Sequence, residues 1–206
     1  MDEQASGLHA ALLAAGAATR FGTAKQLVRL RGEPVLYELA ASAAAIAGQS
    51  VTVVLGAHAR EIAPALRQRA VSIAINRGWE EGIASSVRTA VHAAPPGSAA
   101  LLLMLADQVA VTADDLRRLH ASWKRHPVLI AAALYGGAPG LPAIFPRWAF
   151  TDLLALRGDR DPRSVLRRNI DRVVRVPMSN AGIDLDTPED LLRLASAPPE
   201  GAPGQE

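Results

Sequence analysis

The chain has 206 residues, half of them hydrophobic and a fifth charged, with a formal net charge of +2; this suits one soluble domain with a sizeable core. Scattered arginines and only 4% aromatic residues exclude the clustered basic and aromatic surface by which nucleic-acid binders are recognised. The absence of cysteine excludes disulfides, thiolate metal sites and cysteine nucleophiles.

The N-terminal MDEQASGLHAALLAAG opens acidic and its apolar run is short and interrupted, so no signal peptide is expected. No apolar run approaches the roughly 18 residues of a membrane span. The expected location is the cytoplasm, with neither membrane nor nucleic acid as partner. Residues 8–14 (LHAALLA) read as a first strand. Residues 34–47 place Val35, Leu36, Leu39, Ala43 and Ile46 on one helical face behind Pro34, a residue favoured in a first helical turn. A strand at 50–56, a helix at 59–69 and a strand at 71–76 follow. Residues 83–94 put Ile83, Val87, Ala90, Val91 and Ala94 on one helical stripe.

AALLLMLAD (99–107) is apolar on both faces, the pattern of a central parallel strand covered by helices on each side. Thr112 and Asp115 form a capping box for a helix carrying Leu116, Leu119 and Trp123. Strands at 127–134, 141–145 and 171–178 and helices at 162–169 and 188–196 complete the pattern. Such alternation implies a single-domain, doubly wound α/β sandwich with a mostly parallel sheet, a Rossmann-like three-layer arrangement over residues 8–196. The tail 197–206 has too few apolar residues to pack and is expected to be disordered.

In doubly wound sheets ligands bind beyond the carboxyl ends of the strands. The first such loop, AAGAATRFGTAK, contains Gly16 and Gly22, bracketed by Arg20 and by Lys25, one of only two lysines in the chain. Glycines let backbone amides approach an anion, and two cations beside exposed N–H groups suit a phosphate chain. A plain strand–turn–helix corner with surface charges accounts for the same residues. The spacing is neither GxGxxG nor GxxxxGK[ST]. Asp107, ending the most apolar strand, could hold Mg²⁺ against phosphate oxygens or simply accept from loop amides.

GIDLDTPEDLLRL (182–194) contains a good helix start in Thr187, Pro188 and Asp190. Asp184 and Asp186 are left over, on one face of an extended segment, and at least one could meet Asp107 over a metal. In NRGWEEGIASSVRTAV (76–91), Gly78 and Gly82 loosen the strand-to-helix link. Ser85 and Ser86 sit in the first helical turn, available to a ligand or merely solvated. The five histidines share no metal-ligand spacing, and no GxSxG elbow occurs.

LAAGAATRFGTAK resembles the LAAGxSxRMGxxK signature of nucleotidyltransferases that act on molybdenum cofactor. NRGWEEGIASSVRTAV, LADQ, GLPAIFPRWAF, LRGDRDPRSVL and DLDTPEDL are similar to further segments of that MobA-like superfamily, in its order, from about Leu12 to Leu194. The resemblance is nearest to the molybdenum cofactor cytidylyltransferases, because Ala15-Gly16 stands where the guanylyl branch has Gly-Gly. It implies transfer of CMP from CTP to the terminal phosphate of molybdopterin cofactor, with release of pyrophosphate. It further implies Arg20, Lys25 and Asp107 as catalytic residues. Ala14, Ala15, Gly16, Ala17, Arg20, Lys25, Asn76, Gly78, Gly82, Ser85, Ser86 and Asp107 would bind nucleotide. Mg²⁺ would be held by Asp107 with Asp186 or Asp184, and a molybdoenzyme would receive the product. A related CTP or GTP transferase with another acceptor, and a non-catalytic cofactor-binding chaperone, are the alternatives. Three departures stand out: Val109 for the proline of Asp-Gln-Pro, Leu141 within a Gly-His-Pro motif, and Asp161-Pro162 for Gly-Ala in GDxGAR. The last two fall in the half expected to hold the acceptor.

Overall fold

The computed structural model describes residues 7–17, 25–30, 32–67, 69–185 and 187–196. The tail 197–206 and two expected site residues, Arg20 and Asp186, lie outside the described residues. The first strand, β1 (Leu8–Ala14), is buried along its whole length. A short hairpin of β2 (Arg29–Leu30) and β3 (Glu33–Pro34) leads into helix α1 (Val35–Ala47). Next come β4 (Val51–Leu55), α2 (Ala59–Leu66), β5 (Ser72–Ile75), α3 (Ile83–Ala93) and β6 (Ala100–Leu105). The second half adds α4 (Ala113–Arg125), β7 (Ile130–Tyr135), β8 (Ala138–Pro146) and α5 (Phe150–Leu154). It closes with α6 (Arg163–Arg168), β9 (Val173–Pro177) and α7 (Pro188–Ser196).

Seven strands form one sheet in the order β5-β4-β1-β6-β8-β7-β9. All neighbours run parallel except β8, which is antiparallel to both β6 and β7. The reversal comes from the two-residue link Gly136-Gly137, with φ of +56° and +78°. Two consecutive left-handed residues give the turn whose twist suits a hairpin.

Alternation along the central strands feeds two cores. Leu8, Ala10, Leu12, Ala100, Leu102 and Met104 pack under α1 and α4, whereas Ala11, Leu13, Leu101 and Leu103 pack under α3, α5 and α6. Each fully buried leucine contributes about 1.5–3 kcal/mol relative to exposure. The two-faced apolar pattern of residues 99–107 is thereby explained: β6 has no solvent side. Both capping boxes read from the sequence are present. The Asp115 amide donates to Thr112 Oγ1 (3.2 Å) and the Thr112 amide to Asp115 Oδ2 (2.9 Å). Thr187 and Asp190 repeat the arrangement at 2.9 and 3.3 Å. Such a cap is worth about 1 kcal/mol. No described helix is long and apolar enough to cross a membrane.

Candidate active site

Because β1, β4, β6 and β7 are parallel, their carboxyl ends share one edge of the sheet, where a cleft of about 460 Å³ opens. Ala14, Ala15, Gly16 and Ala17 line it where β1 ends, and Lys25, Gly82, Ser86 and Asp107 complete the expected part of its wall.

The turn after β1 is held from the side. The Ala57 amide donates to the Ala15 carbonyl (3.2 Å), and His58 Nε2 lies 2.9 Å from the Ala17 carbonyl. Gly56 makes this approach possible: a Cβ there would fall 2.5 Å from the Ala15 carbonyl oxygen and 2.7 Å from Trp79 Cβ. Gly56→Ala is therefore expected to push the 15–17 turn out of place. Overpacking of this kind costs about 1–3 kcal/mol, and misplacing a binding loop by about 1 Å can cost about 10²-fold in rate. Titration calorimetry with a nucleoside triphosphate should show affinity weakened about tenfold or more in a variant that still folds. Unchanged affinity would mean the turn's position is immaterial.

Lys25 opens a 3₁₀ turn (Lys25–Leu27) and joins three distant segments. Its Nζ donates to Asp107 Oδ2 (3.2 Å) and to the Leu185 carbonyl (2.9 Å). The Leu185 amide donates to the Asp107 carbonyl (2.9 Å), so the glycine-rich segment, the end of β6 and the 183–185 segment close a ring. The next residue, Gln26, is buried and reaches the Ala14 carbonyl (3.3 Å). Past Asp107, the Val109 amide donates back to the Asp107 carbonyl at 2.8 Å. A proline at that position has no N–H, so the departure from Asp-Gln-Pro supplies a bond that tightens this turn.

Asp107 Oδ1 is buried and has no hydrogen-bond partner among the described residues. An unsatisfied buried carboxylate oxygen is costly unless something binds it. Among the described residues no three acidic or histidine side chains gather as a metal cage. One carboxylate oxygen beside a space sized for phosphates nevertheless fits Mg²⁺, which takes one or two carboxylates and completes its shell with phosphate oxygens and water. Asp184 is exposed and does not line the cleft; its charge acts on Tyr135 at the end of β7. Burial pushes the Tyr135 hydroxyl above its ordinary range.

Asn76, Gly78 and Ser85 stand behind the cleft wall. Asn76 Nδ2 donates to Ser85 Oγ (2.8 Å) and Ser86 Oγ (3.0 Å), while its Oδ1 accepts from the Gly78 amide (3.0 Å). These bonds fix the start of α3, so of the two serines only Ser86 borders the cleft. Sequence reasoning missed Gln26, Trp79 and Glu80 as parts of the wall, and Gly56 as the residue that lets the turn after β1 pack closely. In the sequence Gln108 stands out only as the last residue of LADQ. Gln108 is buried and its Nε2 donates to the Leu141 (2.6 Å) and Ala181 (2.8 Å) carbonyls, tying β8 and the 179–182 turn to the end of β6. Asp161, one of the departures, accepts from the Arg163 amide through Oδ1 (2.7 Å) and so starts α6.

Residues 10–173 match the model of the MobA-like NTP transferase domain. The chain belongs to that family. MobA-like proteins are nucleotidyltransferases, so a nucleoside triphosphate is the substrate class. Rv0371c from Mycobacterium tuberculosis H37Rv is 27% identical, with a TM-score of 0.81 over 94% of this chain and 100% of its own. The same protein's manganese complex aligns at 25% identity and TM-score 0.77, over 94% and 100%. Molybdopterin-guanine dinucleotide biosynthesis protein A from Archaeoglobus fulgidus is 18% identical (TM-score 0.68, over 91% and 96%), a likeness of fold. No curated protein matches the chain significantly. The MobA-like fold is the doubly wound, mostly parallel sheet expected from the sequence.

Proposed function

We propose that this MobA-like protein is a cytoplasmic, Mg²⁺-dependent cytidylyltransferase that moves CMP from CTP to the terminal phosphate of molybdopterin cofactor. The observation that carries the reading is the ring of Lys25, Asp107 and Leu185 at the mouth of a cleft floored by Ala14–Ala17. It sets an ammonium, a carboxylate with an unused oxygen and a backbone turn around a space fit for a triphosphate. Ala15-Gly16, where a guanylyl enzyme has Gly-Gly, favours CTP.

The chemistry asks mainly for positioning and charge neutralisation. An oxygen of the acceptor phosphate attacks the α-phosphorus of CTP, a new phosphoanhydride bond forms, and the bond to the β-phosphate oxygen breaks to release pyrophosphate. The acceptor is already anionic at neutral pH, so no general base is needed. The turn at 14–17, with Lys25 and Arg20, would cradle the triphosphate, and Gly82 and Ser86 would form the opposite wall. Asn76, Gly78 and Ser85 would hold that wall in place. Mg²⁺ would be held by Asp107 with Asp186 or Asp184, and would supply charge neutralisation at the α-phosphate. That Rv0371c has been seen in complex with manganese supports a divalent ion in the reaction.

The test is pyrophosphate release from purified protein given Mg²⁺, intact molybdopterin cofactor and each nucleoside triphosphate in turn. Release with CTP above the others is expected. Preference for GTP would move the protein to the guanylyl branch. No release with any triphosphate would replace the enzyme by a binding protein that delivers cofactor to a molybdoenzyme.

A further inference from the structure

The loop that leads into the acceptor half is fastened to the nucleotide wall by side chains lying outside the cleft. Glu81, the last residue of the 3₁₀ turn before α3, accepts the Gly158 amide on Oε1 (3.1 Å). Arg88, in the second turn of α3, grips the same carboxylate with Nη1 on Oε1 (3.0 Å) and Nη2 on Oε2 (2.5 Å). Its Nη1 also donates to the Leu156 carbonyl (2.8 Å). The Gly158 carbonyl then accepts the Ala84 amide (3.1 Å), one of the first-turn N–H groups of α3 that has no partner within the helix. The Arg88 guanidinium and the Gly158 amide hold the Glu81 carboxyl below the usual carboxylate range.

The loop lies directly against the cleft wall. Gly82 has φ of +111°, and a methyl group there would collide with the Asp159 carboxylate and fall 2.7 Å from the Gly158 carbonyl oxygen. Only a residue without a side chain lets residues 158–159 sit on the residue that lines the cleft. Downstream, Asp161 starts α6, and Arg163 lies 6.0 Å from the Tyr135 ring at the carboxyl edge of β7. The segment therefore runs from the nucleotide wall to the acceptor half with its near end clamped.

We infer that Glu81 is a positioning residue that sets the acceptor-side loop 156–161 in register with the bound nucleotide. This rests on the nucleotidyl-transfer reading for its substrates. Glu81 does not line the cleft. The nucleotide wall keeps its own supports in Asn76, Ser85 and Gly78. Loosening the clamp therefore moves acceptor geometry and leaves nucleotide binding in place.

The test compares wild type with Glu81→Gln and Arg88→Gln in the full chain. Glu81→Gln keeps the shape but removes the charge that makes these hydrogen bonds strong, a change of about tenfold in an equilibrium. The expected result is about a tenfold rise in KM for the cofactor acceptor, with KM for CTP changed less than about threefold. The double variant should cost less than the two single effects combined, because both singles break the shared Glu81–Arg88 pair. Equal effects on both KM values, or none, would overturn the inference. A readout independent of turnover separates this from failure of the functional reading. Trypsin cleavage after Arg157 or Arg160 should be about tenfold faster in Glu81→Gln, with calorimetric CTP affinity unchanged. Cleavage at the wild-type rate would overturn the clamp even if the protein transferred no nucleotide.

Discussion

Replacing Lys25 with alanine is expected to lower pyrophosphate release by about 10²–10³-fold while leaving the chain folded. Removing one preorganised charge or donor at a transition state typically costs that much. Two effects add at this position. The ammonium is the only side-chain cation among the described residues lining the cleft, so a departing pyrophosphate would lose that countercharge. It also holds Asp107 and the Leu185 carbonyl together. Its loss leaves Asp107 Oδ2 without that donor beside an Oδ1 that is already unsatisfied. The stability cost is about 1–3 kcal/mol, which lowers the melting temperature by about 2–4 °C per kcal/mol in a chain of this size. Steady-state assays and thermal melts separate the two. Lys25→Met, which keeps the length of the side chain but not the donor, should be as inactive as the alanine variant and also melt below wild type, because Asp107 Oδ2 and the Leu185 carbonyl lose the same hydrogen bonds. Lys25→Arg should recover activity only in part, because a planar guanidinium cannot take the place of a compact ammonium between a carboxylate and a carbonyl. A folded alanine variant with near-normal turnover would remove Lys25 from the catalytic set.

The centre of the sheet was legible because β1, β4 and β6 are buried on both faces and read as nearly unbroken apolar runs. LHAALLA matches β1 residue for residue, and the two capping boxes fix the starts of α4 and α7. Other features depend on partners that periodicity does not encode. The strand expected at 127–134 begins only at Ile130, and β8 runs antiparallel because Gly136 and Gly137 make a hairpin of what read as two separate strands. Helix α5, at five residues, is too short to show a stripe. In the site, the resemblance brought together Lys25 and Asp107, which lie 82 positions apart. The Leu185 carbonyl went unforeseen because backbone groups carry no residue signature. Gly56 and the Glu81–Arg88 clamp went unforeseen for the same reason: a glycine after a strand and an acid in a turn are ordinary until their neighbours in space are known.

Asp107→Asn should abolish metal-dependent transfer, a loss of at least about 10³-fold, because the exchange removes the charge and leaves the volume unchanged. Asparagine can present its oxygen to Lys25 at the 3.2 Å position, but its NH₂ then takes the place of Oδ1, which is buried and has no hydrogen-bond partner among the described residues. The local cost to stability is about 1–3 kcal/mol, so the loss of activity far exceeds any loss of fold. The prediction has a readout that does not need the acceptor. A ligand that binds only the folded state raises its stability by RT ln(1 + [L]/Kd). Wild type should therefore melt higher with CTP and Mg²⁺ together than with CTP and a chelator. In Asp107→Asn that difference should vanish, while the shift given by CTP alone persists through the turn at 14–17 and Lys25. A variant that still gains stability from Mg²⁺ would place the metal on other carboxylates. Asp184 and Asp186 would then be the pair to substitute next, and Asp107 would be left holding Lys25 and closing the turn through Val109.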